Sequence, residues 1–435
     1  MKILLVNPPN CGRSIPEERY GITSLRQLFK GEPFSLEVLA GPLSDHDVVI
    51  FDGKCEEEDA LGEVIAGFEP EVVGFTAMTC EANTVIRLAA EIKQHRRPII
   101  VAGGNHASGN PGYFNRAEFD YIVIGPGKKS FARLIEGLAS GISTDTIPGV
   151  ARTRPGSPLS YKARLFDRED LMEEVAPRYD LVAGYRSRYH LEQLGLAMGF
   201  VMTAYGCTHQ CSFCTIPQLA GGRYLSYSAD AVVRDILLLG DIPFIRLVDA
   251  NTFGDANQAA QLCDSILKAG ISKKYFADVR ADTIVRHPDL LRRWKDAGLY
   301  AVVVGFEDTA DERLRAYNKK YAADIIVRAV EILHELGIVI VGDFIATPDY
   351  TEKDFTNLER FIDECEIEVP VVSVLTPMPG TPLYEKMKKD IVITDLDYYT
   401  YTNAVTATRM PEALFYETYA GLVKRLHEKP HTPRQ

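Results

Sequence analysis

Three cysteines stand close together in the stretch Cys207-Thr-His-Gln-Cys211-Ser-Phe-Cys214, just after an apolar run from Leu196 to Tyr205. Thiolates are the usual ligands of iron–sulfur clusters, and most clusters take four. C-x3-C-x2-C on one loop suits three corners of an iron–sulfur cube, with no fourth cysteine nearby. The open iron is then free to bind a substrate or cofactor. A zinc knot normally brings a second ligand pair at a fixed distance, and none is visible in the sequence.

The surrounding chain has the make-up of an ordinary globular protein. Its 435 residues predict two to three domains, each with its own core. A net charge of −12 argues against a general nucleic-acid binder, which would carry a basic face. No apolar stretch reaches the roughly 18–20 residues that span a membrane. Met1-Lys-Ile-Leu-Leu-Val enters a strand directly and lacks a signal-peptide layout. Eight cysteines at this length do not form a secreted disulfide framework, so a cytoplasmic location is expected.

The cysteine loop needs elements to hold it. Before it, residues 1–143 alternate apolar strands with helical patterns. The strand candidates are Ile3–Asn7, Val48–Asp52, Val72–Thr76, Ile99–Ala102 and Tyr121–Ile124. Such alternation predicts a doubly wound, Rossmann-like parallel sheet whose ligand sits at the strands' carboxyl ends. Those ends read Asn7-Pro8-Pro9-Asn10, Asp52-Gly53, Thr76-Ala-Met-Thr79, Gly103-Gly104-Asn-His106 and Gly125-Pro-Gly127. No G-x-G-x-x-G follows the first strand, which disfavours a nicotinamide cofactor. These pieces resemble the cobalamin-binding domain that precedes many radical S-adenosylmethionine enzymes. The resemblance implies cobalamin contacts at Asn7, Pro8, Pro9, Cys11, Asp52, Thr76, Thr79, Gly103, Gly104, His106, Gly125 and Gly127. The family's G-E-G-E is Gly125-Pro-Gly127-Lys128 here: the glycines are kept and the acids are not. A D-x-H-x-x-G signature is absent, so cobalt is expected without a histidine below it, and His106 is expected to shape the nucleotide-tail pocket.

Residues 144–195 read as a linker broken by Pro148-Gly149, Arg154-Pro155-Gly156 and Pro177. Residues 196–385 carry a second run of strands: Gly199–Ala204, Phe244–Val248, Tyr275–Val279, Ala301–Val304, Val339–Phe344 and Val371–Leu375. Six strand–helix units predict a partial (β/α)6 barrel of the TIM type with chemistry at the carboxyl ends. The cysteine loop follows the first strand, where a barrel places a reactive centre. With Phe213 before its last cysteine, this half resembles the radical S-adenosylmethionine superfamily. That implies a [4Fe–4S] cluster on Cys207, Cys211 and Cys214, S-adenosylmethionine on the open iron, and its cleavage to a 5′-deoxyadenosyl radical. Implied S-adenosylmethionine contacts are Phe213, Asp249, Asn251, Asp278, Arg280, Glu307, Lys320, Asp343, Thr347 and Pro377. The run Thr376-Pro377-Met-Pro-Gly380-Thr381 resembles a mark of the cobalamin-linked branch. Residues 386–435 are read as a short extension with a helix near Glu412–Leu426 that closes the barrel and a disordered end.

The resemblance implies methyl transfer to an unactivated carbon of a small, natural-product-type substrate, with an external one-electron reductant of the flavodoxin or ferredoxin type. Cyclisation, rearrangement or oxygen insertion on the same cofactors is the alternative. A tRNA methylthiotransferase, invited by Cys11, Cys55 and Cys80, lacks the matching flanks and a terminal RNA-binding barrel. A non-catalytic corrinoid carrier would not need the cysteine triad.

Overall fold

The computed structural model describes residues 1–23, 29–57, 59–191 and 196–428. Of the end expected to be disordered, Glu428 to Gln435, Glu428 closes the last helix and residues 429–435 lie outside the described residues.

Short β-branched runs give six strands in the first sheet: β1 (Lys2–Asn7), β2 (Asp47–Asp52), β3 (Val72–Thr76), β4 (Ile99–Gly103), β5 (Tyr121–Val123) and β6 (Val150–Arg152). Their order is β2-β1-β3-β4-β5-β6. The first five run parallel, and β6, drawn from the stretch read as linker, pairs antiparallel with β5. Helices cover both faces, so both must be apolar. The helix Ala82–His95 turns Val85, Leu88, Ala89 and Ile92 into one face, and the helix Gly127–Ser140 does the same with Phe131, Leu134 and Ile135 on the other.

The second sheet is built from β7 (Leu196–Val201), β8 (Phe244–Leu247), β9 (Lys274–Val279), β10 (Leu299–Glu307), β11 (Val339–Ala346) and β12 (Val369–Val374), all parallel in chain order. This is the expected partial barrel. Beyond β7 it gains two antiparallel strands, His190–Leu191 and Phe29–Lys30. The second of these comes from within the first domain's sequence.

The two halves also share core. Met378, Leu396, Tyr399 and Val405 pack into the apolar cluster of the first sheet. The extension after the barrel is therefore a strap across both domains before its helix, Glu412–Glu428, packs on the barrel. The linker is equally engaged. Tyr189 is fully buried and its hydroxyl donates to Asp52 Oδ2 at 3.0 Å. Lys128, where the cobalamin domains carry an acid, donates through Nζ to the carbonyls of Leu171, Met172 and Val175 at 3.1, 2.8 and 2.7 Å. Three acceptors match the three donors of an ammonium group, while burial holds its pKa down at about 8. Lys128→Met should strand these carbonyls and cost about 2–3 kcal/mol, read from the urea midpoint of the purified protein. An unchanged midpoint would show that the clamp carries no stability.

Candidate active site

The cysteine loop is fixed at its entry by Asp249, two residues beyond the end of β8. Its carboxylate accepts from the Thr203 and Ala204 N–H groups at 2.7 and 2.8 Å and from the Thr203 hydroxyl at 2.6 Å. Asp249 is buried, which pushes its pKa up to about 6. These bonds tie the Asp249 carboxylate to the loop entry. Further on, Ser212 N–H donates to Tyr317 O at 3.1 Å, Leu383 N–H to Ser212 O at 2.9 Å, and the Asn318 side-chain amide to Gln210 O at 2.7 Å. Phe213 meets Tyr317 edge-on at 5.4 Å.

All three thiols are free and half-buried. Burial pushes the Cys214 thiol up to about 12, with added repulsion from Cys211 and Cys207, so the three lie within electrostatic reach of each other. Yet among the described residues no three His, Cys, Asp or Glu side chains converge on a point for one metal ion.

Several buried polar atoms at the loop have no partner, Tyr317 OH among them. Arg280 lies with Nη1 3.9 Å from Cys211 Sγ and Nε 2.9 Å from Asp282 Oδ1, while its Nη2 is buried without a partner. Asn251 Oδ1 is also buried and unpartnered. Buried groups of this kind call for a ligand, and a donor beside an acceptor fits the carboxylate and amine of an amino acid. Glu307 adopts a left-handed φ of 67° and pairs with Lys319 Nζ at 2.7 Å. Lys320, expected at this site, is exposed; the residue turned inward is Lys319. Asn318 takes φ 60°, and that reversal decides which lysine enters. Asp278 points into the barrel and is held by Arg246. Asp343 faces Glu307 and Asp278, and burial with their negative charge pushes its pKa up to about 8. Thr347 donates to Asp349, and Pro377 is buried after Thr376.

Across from this loop, a cavity of about 540 Å³ opens at the carboxyl edge of the first sheet. Of the predicted contacts, Thr76, Gly103, Gly104, Gly125 and Gly127 line it. Its floor descends between Leu5, Gly74 and Phe131, and its roof is barrel: Met202, Tyr205, Ile216 and Leu219. A Cβ on Gly125 would project toward open space, its nearest neighbour Leu219 O at 3.9 Å. Its mostly apolar lining at the strands' carboxyl ends suits the nucleotide tail of a corrin. Asn7, Pro8, Pro9, Cys11, Asp52, Thr79 and His106 are not on its wall. Asn7 Nδ2 donates to Asp52 Oδ1 at 2.7 Å, and Gly53 packs on Asn7-Pro8-Pro9. His106 is enclosed by Thr79, Tyr113 and Phe114, and burial lowers its pKa to about 4. His106 thus lies off the cavity wall, with its Nε2 buried and without a partner. Met78, Asn105 and Phe131 line the cavity without having been singled out; only a period-matched reading of the helix Gly127–Ser140 would have suggested Phe131.

Cavity and cysteine loop touch. Asn105 Nδ2 donates to Thr215 Oγ1, next to Cys214, at 3.3 Å. A Cβ on Gly109 would stand 2.7 Å from Pro379 O, and one on Gly380 (φ 88°) would stand 2.9 Å from Gly109 Cα. Tyr401, left-handed at φ 63° and 46% exposed, feels both Cys80 and Cys214.

Residues 26–135 match the profile of the B12 binding domain, and residues 201–362 match that of the radical SAM superfamily. The chain thus carries a cobalamin-binding domain followed by a radical SAM core, the combination that known cobalamin-dependent radical SAM enzymes share. It is 27% identical over 407 residues to hopanoid C-3 methylase of Methylococcus capsulatus, covering 92% of this chain and 77% of that one. It is 24% identical over 383 residues to the anaerobic magnesium-protoporphyrin IX monomethyl ester cyclase of Rubrivivax gelatinosus, covering 85% and 67%. The fold is that of the radical S-adenosylmethionine methyltransferase TsrM of Kitasatospora setae, with TM-score 0.74, 19% identity, and 98% and 88% coverage. A [4Fe–4S] cluster, S-adenosylmethionine and cobalamin are the family's cofactors, and the orphaned atoms and the cavity fit them. No helix among the described residues is long and apolar enough to cross a membrane.

Two expectations follow for this radical SAM site. The folded pKa of Asp343 lies above its ordinary value, so the native state holds the proton more tightly than the unfolded chain. Its neutral form is harmless at low pH, and stability is lost as pH rises from about 4 through about 8. Asp343→Asn should remove that loss, so the urea midpoints of cofactor-free variant and wild type should diverge between about pH 5 and about pH 8. Parallel curves would refute it. Gly109→Ala should press on backbone and cost about 1–3 kcal/mol, seen as a lower midpoint; Gly112→Ala, whose added Cβ would meet nothing within 4 Å, is the comparison.

Proposed function

We propose that this chain methylates an unactivated carbon of a small, natural-product-type substrate. The observation that carries this is the contact of the cavity edge with the cysteine loop through Asn105 and Thr215. It sets a corrin and a cluster on opposite sides of one gap. Bound there, the cofactors supply a 5′-deoxyadenosyl radical for hydrogen abstraction and a cobalt-borne methyl group. The chain's part is to hold and orient. Cys207, Cys211 and Cys214 hold the cluster. Arg280 and Asn251 take the carboxylate and amine of S-adenosylmethionine, with the Glu307–Lys319 pair beside them. Phe213, Asp343, Thr347 and Pro377 frame the rest of that molecule. Thr76, Gly103, Gly104, Gly125 and Gly127 seat the corrin and its tail. Tyr205 and the buried face of the first sheet keep water from the gap, which protects a radical from side reactions. Tyr401 meets the substrate. Electrons come from an external one-electron carrier, and the eight free thiols suit a reducing cytoplasm.

The similarity to a magnesium-protoporphyrin ester cyclase supports a second reading, ring formation on the same cofactors. Incubation with labelled S-adenosylmethionine and extracts of small molecules separates the two: methyl label in product favours the first, unlabelled product of altered mass the second.

Anaerobic reconstitution should yield iron and sulfide in cluster ratio with one corrin bound. Absence of corrin would refute the cobalamin role. Cys214→Ala should abolish release of 5′-deoxyadenosine while corrin uptake is kept. Cleavage in that variant would refute the cluster assignment.

A further inference from the structure

The cysteine loop reaches the surface at Thr208 and Gln210, both exposed. Two segments flank it there. Asn318 binds Gln210 O, and Leu383 binds Ser212 O, so residues near 315–320 and 382–389 form the rim. That rim is cationic in a chain of net charge −12. Arg315, Lys320, Lys386, Lys388 and Lys389 are all exposed on it. Lys388 is answered by Glu385 at 2.6 Å, and Arg315 only loosely by Asp311 at 4.0 Å. Lys320, Lys386 and Lys389 have no ion-pair partner among the described residues. Glu385, Asp390 and Glu312 are the exposed acids of the same segments.

Stability does not explain this concentration, because exposed ion pairs contribute little. The helix Pro382–Met387 favours cations at its end, which accounts for Lys386 and its neighbours but not for Lys320 and Arg315 on the other side of the loop. What the two groups share is the loop between them. A fixed field of one sign over a functional surface raises the encounter rate with a partner of opposite sign.

We propose that Arg315, Lys320, Lys386 and Lys389 form the docking face for a small acidic flavoprotein of the flavodoxin type. This rests on the radical SAM reading of the cysteine loop. The carrier's anionic flavin hydroquinone loses one electron to become the neutral semiquinone, the cluster gains that electron, and no proton moves.

The test compares reconstituted wild type with a triple variant, Lys320→Glu/Lys386→Glu/Lys389→Glu, and with a distant triple of equal charge change, Arg133→Glu/Lys268→Glu/Lys424→Glu. Two quantities are read: the Kd for purified oxidised flavodoxin, and 5′-deoxyadenosine release driven by reduced methyl viologen, a small cation. At low ionic strength the rim variant should bind flavodoxin about tenfold more weakly or worse. Wild-type affinity should fall with added salt, the distant triple should match wild type, and all three proteins should turn over with viologen. A Lys→Gln triple should fall between the extremes. Equal affinities for the rim and distant triples would overturn the docking face. Wild type that cleaves nothing with viologen would instead overturn the radical reading, and the affinities would still decide the face.

Discussion

Two parallel sheets meet here with their carboxyl edges face to face, and almost everything at the site depends on how closely they meet. Backbone lies on backbone at Gly109, Pro379 and Gly380, with no space for a side chain on either glycine. Within the same contact Asn105 binds Thr215, one residue beyond Cys214. Each sheet alone offers a ligand position at its strand ends, as open α/β sheets and barrels do. Only their apposition makes two positions into one gap. A separation of even a side chain would put the two cofactors out of common reach of a substrate.

That apposition is held by segments that belong to neither sheet. The strap carrying Leu396, Tyr399 and Val405 enters the first domain's core, and Asn403 binds the backbone of Arg13 and Ile15. Tyr189 of the linker reaches Asp52, and Arg186 pairs with Glu32. Buried, satisfied polar contacts of this sort fix geometry because breaking one leaves a desolvated partner behind. Lys128 shows how a local departure from a family pattern is absorbed: where an acid is usual, a lysine now ties the helix to the linker carbonyls.

The charges near the cysteines divide by whether the fold has already used them. Asp249 and Asp52 are spent on Thr203, Ala204, Asn7 and Tyr189. Glu307 and Lys319 form a pair at the mouth, Arg280 and Asn251 keep unused atoms, and burial together with two facing carboxylates raises the pKa of Asp343. A site with unspent donors and acceptors is ready for a ligand, and a site with spent ones is architecture.

The sequence by itself determined the fold class, nearly all the parallel strands and the cysteine loop. Apolar runs of strand length and the C-x3-C-x2-C spacing are local properties, and local physics suffices to read them. The strand Val72–Thr76 was legible to the residue for the same reason. Tertiary structure alone decided the rest of the site. Asp52 and Tyr189 stand 137 residues apart in sequence, so no spacing rule announces that one consumes the other. Lys319 rather than Lys320 turns inward because Asn318 takes a left-handed turn. His106 lies at a strand end, where a ligand is expected, yet aromatic neighbours enclose it. Position at a strand end tells which residues can reach the gap; which of them do is set by partners that only the folded chain brings near.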